Sequence, residues 1–238
     1  PIVDVQSTRR QQTLTREVID AVPTGNRYQN LLTVIPGVVV SGTQDVGGAR
    51  GDTPTDISIH GSSINDGRIK IDGINVAPPA KAAGHDTQMV LDTVNSQEVV
   101  VSSSGGLGEA ETAGITINFI PREGGNRFSG QVFFSGTTGG LQADNSSADL
   151  TRRGLPEVNT VDRLWDITGG FGGPLVRDRL WFFTTARNNG FRNHVAGMYV
   201  NKNAFNPNAW TYDPDLSQQA DRDGTWKIAS LRTTWQVT

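Results

Sequence analysis

The spacing of apolar and polar residues changes once along this chain of 238 residues, close to Asn126. Before that point, short segments with helical spacing alternate with short segments whose apolar residues recur at every second position. After it, helical spacing disappears, so no further helix is expected, and the segments carry one apolar and one polar face. The pattern predicts a small mixed α and β domain at residues 1–126, followed by antiparallel strands at residues 127–238.

Two segments of the first part, residues 15–20 and 26–35, have helical character. The second begins at Asn26, which suits a helix cap, and it is ended by Pro36-Gly37. Residues 87–94 are predicted to form a third, short helix. The apolar residues that recur at helical spacing in the second helix are Tyr28, Leu31, Leu32 and Ile35.

Short strands account for most of the remaining first part. Residues 68–76 alternate around Asp72-Gly73, a dipeptide typical of tight turns, so this segment is predicted to be a hairpin. Residues 38–40 are expected to form a buried strand because all three are valine. Further strands are predicted at residues 57–60, 98–101 and 115–120, and residues 41–56 are predicted to be a surface loop.

Four strands of about ten residues are predicted in the second part. In the first of them, Phe128, Val132 and Phe134 alternate with polar positions, and Phe133 is the exception. The connections are long, short and long, as in an outer-membrane barrel, although a soluble antiparallel sheet would give the same pattern with equal weight. The strands lie at residues 128–136, 165–171, 180–187 and 229–237, and the connections at 137–163, 173–179 and 190–225.

Composition narrows the classes of protein. The chain carries 21 Lys and Arg against 24 Asp and Glu, a formal net charge of −3 without a basic stripe, so a nucleic-acid partner is not expected. It contains no cysteine, which excludes disulfides and thiolate metal sites within it. No apolar run approaches the roughly 20 residues of a membrane-spanning helix, so insertion into a bilayer would require a barrel.

No catalytic or metal-binding motif is present. The three histidines, His60, His85 and His194, lie in separate segments without metal-ligand spacing. Residues 170–173 lack the third glycine of a dinucleotide-binding fingerprint. We therefore expect no cofactor and no metal.

Two groups of acidic residues have a spacing that resembles known sites. The acids of residues 213–215 and 221–223 are spaced for calcium, but neither group continues to the terminal glutamate of a calcium loop, so solvated acids are expected. Glu109 and Glu111 are spaced like a pair of carboxylates in a carbohydrate-active enzyme, but small residues surround them and no aromatic sugar platform is near. We expect no enzyme activity.

Three ordered segments carry a resemblance to a known family. The first, residues 31–38, ends in Pro-Gly-Val. The second joins Ile-Ser-Ile-His-Gly in residues 57–63 to Ile-Asp-Gly in residues 69–74. The third, at residues 98–101, 114–120 and 124–128, is similar to the last plug strands and the entry into the barrel. Together they resemble the plug domain of TonB-dependent outer-membrane receptors. The matching motif residues are Pro36, Gly37, Val38, Ile59, His60, Gly61, Ile71, Asp72 and Gly73.

Within this family, the sequence is most similar to the Oar-like branch, in which a carboxypeptidase-regulatory-like domain precedes the plug. The segments that resemble this branch lie at residues 1–4, 22–27 and 171–183, and the last of them falls in the proposed barrel. His60 stands where the family usually has arginine. No TonB-box heptad is visible near Pro1.

The resemblance implies an α+β plug followed by an incomplete antiparallel transmembrane barrel of about four strands, a fragment of a barrel of about 22 strands. It implies uptake of a nutrient ligand (oligosaccharide, peptide or metal chelate), a TonB-type energy-transducing partner, and contact with outer-membrane lipid. The plug would face the periplasm and the long loops the exterior. The alternative is a surface-displayed or soluble β-rich binding module without transport. Candidate ligand-loop residues are Gln44, Asp45, Arg50, Asp52, Lys81, His85, Asp86, Trp210 and Tyr212.

Overall fold

The computed structural model describes residues 10–22, 27–40, 57–63, 66–76, 92–104, 114–155 and 157–237. These residues form a five-stranded sheet, a two-stranded sheet and a four-stranded sheet. The first two sheets and two short helices are called the mixed unit below. Its elements are β1 (Arg10–Thr15), α1 (Arg16–Ala21), α2 (Tyr28–Leu32), β2 (Val38–Val40), β3 (Ile57–Ile59), β4 (Arg68–Ile71), β5 (Ile74–Asn75), β6 (Ser96–Ser104) and β7 (Thr116–Pro121). The rest are β8 (Ser129–Thr138), α3 (Ala148–Arg152), β9 (Thr160–Val176), β10 (Leu180–Asn201) and β11 (Pro214–Trp235). The five-stranded sheet has the order β1-β6-β7-β4-β5, the two-stranded sheet pairs β2 with β3, and the four-stranded sheet has the order β11-β10-β9-β8.

The mixed unit has its own apolar core. Strand β7 lies in the centre of the sheet, antiparallel to β6 and parallel to β4. The rings of Tyr28 on α2 and Phe119 on β7 meet edge to face, with centroids 5.6 Å apart. All members of this core come from residues 14–119: Leu14, Ile19, Tyr28, Leu31, Leu32, Ile35, Ile57, Ile59, Ile69, Val99, Val101, Ile115, Ile117 and Phe119.

The predicted hairpin at residues 68–76 is confirmed as strands β4 and β5. Asp72 and Gly73, the two turn residues, have φ values of +50° and +81°. Positive φ at both positions gives the turn a twist that matches the twist of the flanking strands. Asparagine and aspartate tolerate this conformation better than other side chains, and glycine has no steric cost there. The turn is therefore fixed by local chemistry.

Other predictions for the first part need correction. The helix predicted at residues 26–35 spans only Tyr28–Leu32 and is preceded by Arg27, while Asn26 lies outside the described residues. The strand Val38–Val40 forms, but Val39 is 60% exposed, so the prediction of a buried strand is wrong. Strand β1 was not predicted, because only Leu14 of its six residues is apolar and buried.

Two further predictions fall largely on residues without a description. The loop at residues 41–56 lies outside the described residues. The helix predicted at residues 87–94 also begins outside them. Its last three positions, Asp92 to Val94, form a bend and a turn instead of a helix.

The four-stranded sheet is antiparallel throughout, as predicted. Its last three strands have 17, 22 and 22 residues, so the predicted length of about ten is wrong for them. The strands are longer than predicted because backbone N–H and C=O groups of neighbouring strands continue to pair after the alternation of apolar and polar residues has ended. The connections 139–159, 177–179 and 202–213 keep the predicted order of long, short and long.

The expectation that no helix follows Asn126 is also wrong. Helix α3 occupies residues Ala148–Arg152 in the first long connection. Its N-cap, Ser147, accepts a hydrogen bond from the backbone N–H of Leu150 at 3.3 Å. Five residues are too few to produce a recognisable helical spacing. Within the described part of the chain, no helix has the length and apolar character needed to span a membrane.

Candidate functional site at the interface of the mixed unit and the four-stranded sheet

The two faces of the four-stranded sheet differ in polarity. Side chains alternate between the faces along each strand. One face, the outer face, exposes Val132 and Phe134, which are 82% and 72% exposed. The other, the inner face, buries polar side chains and is turned toward the mixed unit. The buried polar residues of the inner face are Asp166, Thr168, Arg187 and Asn189.

Aromatic residues form two belts on the outer face. The lower belt, close to the short connection 177–179, consists of Phe128, Phe171, Phe182 and Trp235. The Phe128 and Phe171 rings are stacked, with centroids 5.7 Å apart, and Phe182 packs 5.9 Å from Phe171. Trp235 is 70% exposed. This end of the sheet therefore presents a continuous aromatic edge.

The upper belt consists of Phe134 and Trp165. Trp165 donates a hydrogen bond from Nε1 to Oδ1 of Asn188 at 3.1 Å, and the guanidinium of Arg163 lies 5.6 Å from its ring centroid. The next outward residues on β10 and β11 are polar or charged. The upper belt therefore marks the end of the apolar part of the outer face.

The separation of the belts follows from the strand register. Leu180 pairs with Trp235 of the lower belt, and Gly190 pairs with Trp165 of the upper belt. Ten residues of β10 separate these pairs. At about 3.3 Å per residue and a strand tilt of about 40°, the belts lie about 25 Å apart, the height of the apolar band of an outer-membrane barrel.

A buried ion pair lies at the centre of the inner face. The Arg187 guanidinium donates to both carboxylate oxygens of Asp166, at 3.0 and 2.7 Å. The Thr168 hydroxyl donates to the same carboxylate at 3.1 Å. The Arg187 and Asp166 side chains are only 2% and 11% exposed. A bidentate pair of this kind orders the charges in a space that excludes water.

The middle of the inner face contacts the turn that precedes β6. The Gln131 amide on β8 donates to the carbonyl of Val94. A β-carbon at Gly170 on β9 would overlap the Asn95 amide oxygen, so the turn rests directly on the backbone of β9. Asn95 is buried, and its backbone carbonyl accepts from the N–H of Arg122 at 2.9 Å.

A second group of polar contacts lies near the lower belt. Arg232 on β11 contacts Asp72 in the β4–β5 turn, and it donates to Glu123 at 2.7 Å. The Arg122 guanidinium lies 5.3 Å from the centroid of the Phe183 ring. A β-carbon at Gly124 would overlap the Phe182 carbonyl. The segment that leaves the mixed unit is thus pressed against the four-stranded sheet.

Asn126 joins this segment to the short connection 177–179. Its amide donates to the Asp178 carboxylate at 2.5 Å, and its oxygen accepts from the backbone N–H of Asp178 at 2.9 Å. The same oxygen accepts from the Trp181 indole at 2.7 Å. The entry into the four-stranded sheet is therefore anchored at its lower end.

The nine motif residues lie in two places. Those of residues 36–38 and 59–61 meet in the β2–β3 pair, where Val38 is opposite Ile59 and a β-carbon at Gly37 would contact the His60 ring. His60 and Gly61 have φ values of +50° and +78°. Residues 71–73 lie at the β4–β5 turn, where the Asp72 carboxylate accepts a hydrogen bond from Arg232 of the four-stranded sheet. The motif is thus divided between a structural turn and an interface contact.

Two of the candidate ligand-loop residues are described. Trp210 is 95% exposed in the connection 202–213. Tyr212 is more than half exposed, and its hydroxyl bonds both the carbonyl and the N–H of Tyr199 at 3.1 and 3.2 Å. The remaining seven lie outside the described residues: Gln44, Asp45, Arg50, Asp52, Lys81, His85 and Asp86.

Among the described residues with candidate metal-binding chemistry, His194 and Asp221 lie together, with Nδ1 2.5 Å from a carboxylate oxygen, whereas His60 lies in the β2–β3 pair of the mixed unit. Glu109 and Glu111 lie outside the described residues. Residues 170–173 are part of strand β9 and pair with β8 and β10. Among the side chains with a described position, no three of His, Cys, Asp or Glu are grouped to hold a metal ion.

The interface residues Gln131, Asp166, Arg187 and Arg232 were missed as functional candidates. Asp166 occupied a polar position of a predicted strand, which indicates its face but not its partner. The Arg232–Asp72 contact joins residues 160 positions apart, so no local pattern reveals it. The available signal was the recurrence of polar residues at alternate positions of the predicted strands, among them Gln131, Asp166 and Arg187.

A charged cluster lies on β10 and β11 beyond the upper belt. Arg192 donates to Asp221 through Nε at 2.7 Å, and His194 Nδ1 lies 2.5 Å from the other carboxylate oxygen. The hydrogen bond from Arg192, together with that from His194, lowers the pKa of Asp221, although partial burial acts in the opposite direction. This cluster fastens the two strands where they leave the apolar band.

We expect Arg187→Ala to lower the free energy of unfolding by about 3–5 kcal/mol, because it leaves the Asp166 carboxylate buried without its cation. Arg192→Ala is the matched control. It breaks a pair of which the arginine is 43% exposed, and we expect a loss of about 1 kcal/mol or less. Urea unfolding in detergent micelles measures both. Equal losses would contradict the assignment of Arg187 to a buried network.

We predict that the contacts of Asp221 stabilise β10 and β11 less in acid than at neutral pH. Its folded pKa lies below the unfolded value of about 3.9, so its contribution is present above about pH 4 and is lost as the pH falls through the folded pKa. Hydrogen exchange of β10 and β11 beyond the upper belt, corrected for the intrinsic rate, should show this loss in the wild type and not in Asp221→Asn. Asp223→Asn, on the same face two residues along, should keep it. An unchanged acid response in Asp221→Asn would exclude this carboxylate as its source.

Comparison with known proteins gives one sequence relative and several fold neighbours. No protein-family model matches the chain. Over 128 residues, 53% of the chain, it is 29% identical to the TonB-dependent transporter Oar of Myxococcus xanthus. The match covers 12% of that protein, so the chain spans a small part of its relative.

Solved structures show the same fold. The siderophore receptor PirA of Acinetobacter baumannii superposes with a TM-score of 0.54 at 20% identity, and the ferric enterobactin receptor PfeA of Pseudomonas aeruginosa with 0.50 at 16%. Each alignment covers 78% of this chain and 25% of the receptor. These proteins are receptors and transporters rather than enzymes. The resemblance drawn from the three motifs is thus confirmed: the chain is similar to part of a TonB-dependent outer-membrane receptor and shares sequence with an Oar transporter.

Proposed function

We propose that residues 1–126 are the plug and residues 127–238 the first four wall strands of a barrel that imports a nutrient ligand across the outer membrane. The observation that carries this proposal is the opposite polarity of the two faces of the four-stranded sheet. The outer face is apolar between two aromatic belts, whereas the inner face buries polar side chains beside Phe183 and Phe191 and is turned toward the mixed unit. A barrel wall around a plug requires this arrangement.

The outer face supports contact with lipid. A soluble sheet normally buries its apolar face, whereas here the large apolar residues are exposed on the side away from the mixed unit. The belts are about 25 Å apart, and aromatic residues are typical of both edges of a bilayer. Lys227, outward one pair below the upper belt, has a stem long enough to bring its ammonium to the headgroup region.

The interface supports a plug that separates from the wall. The apolar core of the mixed unit is internal, and its members all precede residue 120. The contacts with the wall described above are mainly hydrogen bonds and ion pairs, which water can replace when the surfaces part. A TonB-type protein that acts on the N-terminal side of the plug would therefore open these polar contacts while most of the core, which lies outside β1 and α1, stays packed.

The orientation follows from the connections. We assign the short connection 177–179 and the adjoining Asn126 to the periplasmic side, and the long connections 139–159 and 202–213 to the exterior. Ligand contacts are assigned to these long connections and to the loops 41–56 and 77–88. In the described part of these loops, Trp210 and Tyr212 offer exposed rings for stacking. Oligosaccharides, peptides and metal chelates are the ligand classes proposed.

The lipid contact is tested with the chain's five tryptophans in the full-length receptor. Variants that retain one of them at a time are placed in vesicles that contain brominated lipids, which quench nearby indole fluorescence. Trp165 and Trp235 face outward at the belts and should be quenched. Trp181, bonded to Asn126, and Trp226, stacked 5.9 Å from buried Phe191, are the matched inward controls and should not. A soluble or surface-displayed binding module would show no quenching at any position.

Transport is tested by fastening the plug to the wall. Cysteines at Asp72 and Arg232, on opposite sides of the interface, are joined by a bifunctional maleimide in cells that express the full-length receptor. Mass spectrometry of the medium should show solute depletion that requires the receptor and stops on cross-linking. Each single-cysteine variant, treated alike, should retain it. Depletion that continues after cross-linking would oppose a mobile plug, and no depletion in the wild type would favour the binding module.

A further inference from the structure

The segment Asp92 to Ser96, called the 92–96 turn, is the meeting point of three parts of the molecule. It is compact by itself: the Ser96 N–H donates to the Thr93 carbonyl at 3.2 Å, and the Ser96 hydroxyl donates to the Asp92 carbonyl at 3.0 Å. Thr93, Asn95 and Ser96 are at most 7% exposed. Buried carbonyl groups of such a turn need donors from elsewhere.

The wall supplies contacts on one side of the turn. Gln131 donates to the Val94 carbonyl, and Asn95 rests on the backbone at Gly170. The segment that leads to the wall adds the Arg122 N–H, which donates to the Asn95 carbonyl at 2.9 Å. A shift of the turn would therefore change its contacts with the wall.

Arg16 supplies donors on the other side. Its Nη1 donates to the carbonyls of Thr93, Val94 and Ser96, at 2.7, 3.1 and 2.7 Å. Its Nε and Nη2 donate to the Asp20 carboxylate at 3.0 and 2.5 Å. The guanidinium fork thus holds the turn with one edge and its own helix with the other. Its side chain is 18% exposed.

The position of Arg16 in the chain connects these hydrogen bonds to the movement of strand β1. It is the first residue of α1 and directly follows β1, the edge strand nearest the N-terminus among the described elements. Displacement of β1 therefore moves the Arg16 backbone before it moves the rest of the mixed unit.

We propose that Arg16 is the positioning residue that couples strand β1 to the contact between the 92–96 turn and the wall. When β1 and the start of α1 are displaced, the turn loses its cationic donor, and its contacts with Gln131 and Gly170 open. This inference rests on the proposed function, in which a partner acts on the N-terminal side of the plug. It assigns the first contact that such an action releases.

Arg122 belongs to the same device. Its backbone bonds the turn, and its guanidinium lies over Phe183 of the wall. Burial, and then the nearby charge of Arg16, lower the pKa of Arg122, while Asp20 acts in the opposite direction. Asp20 therefore balances two neighbouring arginines, of which Arg16 bonds the turn and Arg122 lies over Phe183 of the wall. Removal of Arg16 takes one positive charge from this cluster and leaves the Asp20 carboxylate without the two hydrogen bonds that hold it.

The test is hydrogen exchange of the full-length receptor in micelles. The readouts are the amides of Ser96 and Arg122, whose acceptors lie in the turn. We expect Arg16→Ala to speed their exchange about tenfold, and Gln131→Ala to do the same. The double variant should be no faster than the faster single variant, because either change opens the same contact. Arg16→Lys, which keeps a cation but not the fork, should be intermediate.

The control is Arg10→Ala, an arginine-to-alanine change on the exposed part of β1, which should leave both amides unchanged. Unchanged exchange in β10 and β11 shows that each variant is folded. Independent effects of Arg16 and Gln131, or wild-type exchange in Arg16→Ala, would overturn the coupling while leaving transport intact. A wild-type receptor that depletes no solute would overturn transport, and the exchange result would still stand.

Discussion

The buried ion pair of Asp166 and Arg187 decides which way the four-stranded sheet faces. Neither charge is tolerated in lipid without its partner, and together they need the cover that the mixed unit provides. Because side chains alternate strictly, placing these residues inward places Ile167 and Phe171 outward. A register slip of one residue would exchange the two faces. The apolar band, the aromatic belts and the polar interface all follow from this single orientation.

The same orientation explains the division of labour between apolar and polar contacts. Apolar burial holds the mixed unit together from within, with α2 and β7 in its centre. Polar contacts hold it against the wall, at the 92–96 turn and around Arg232. Hydrogen bonds lose little net free energy when water replaces the partner, whereas a divided apolar core loses much. A unit built in this way can lose its contacts with the four-stranded sheet while most of its core stays packed.

The features that sequence alone predicted are those with local causes. The Asp72-Gly73 turn needs only two residues that accept positive φ, and the outer face needs only alternation in each strand. Strand ends were misplaced because backbone pairing continues after the apolar face stops. Strand β1 could not be predicted because an edge strand with one buried residue has no apolar pattern. The contacts of Arg16 and Arg232 join segments about 80 and 160 positions apart, and such pairs leave no trace in spacing.

Gly124 limits how the mixed unit and the four-stranded sheet can be joined. The chain passes from the mixed unit to the wall so close to the Phe182 carbonyl that no side chain fits. In a chimera that joins the mixed unit of this chain to a four-stranded sheet from another protein, position 124 must therefore remain glycine as long as the backbone at position 182 keeps its place. The crossing depends on this one residue, although the interface extends from the 92–96 turn to Arg232.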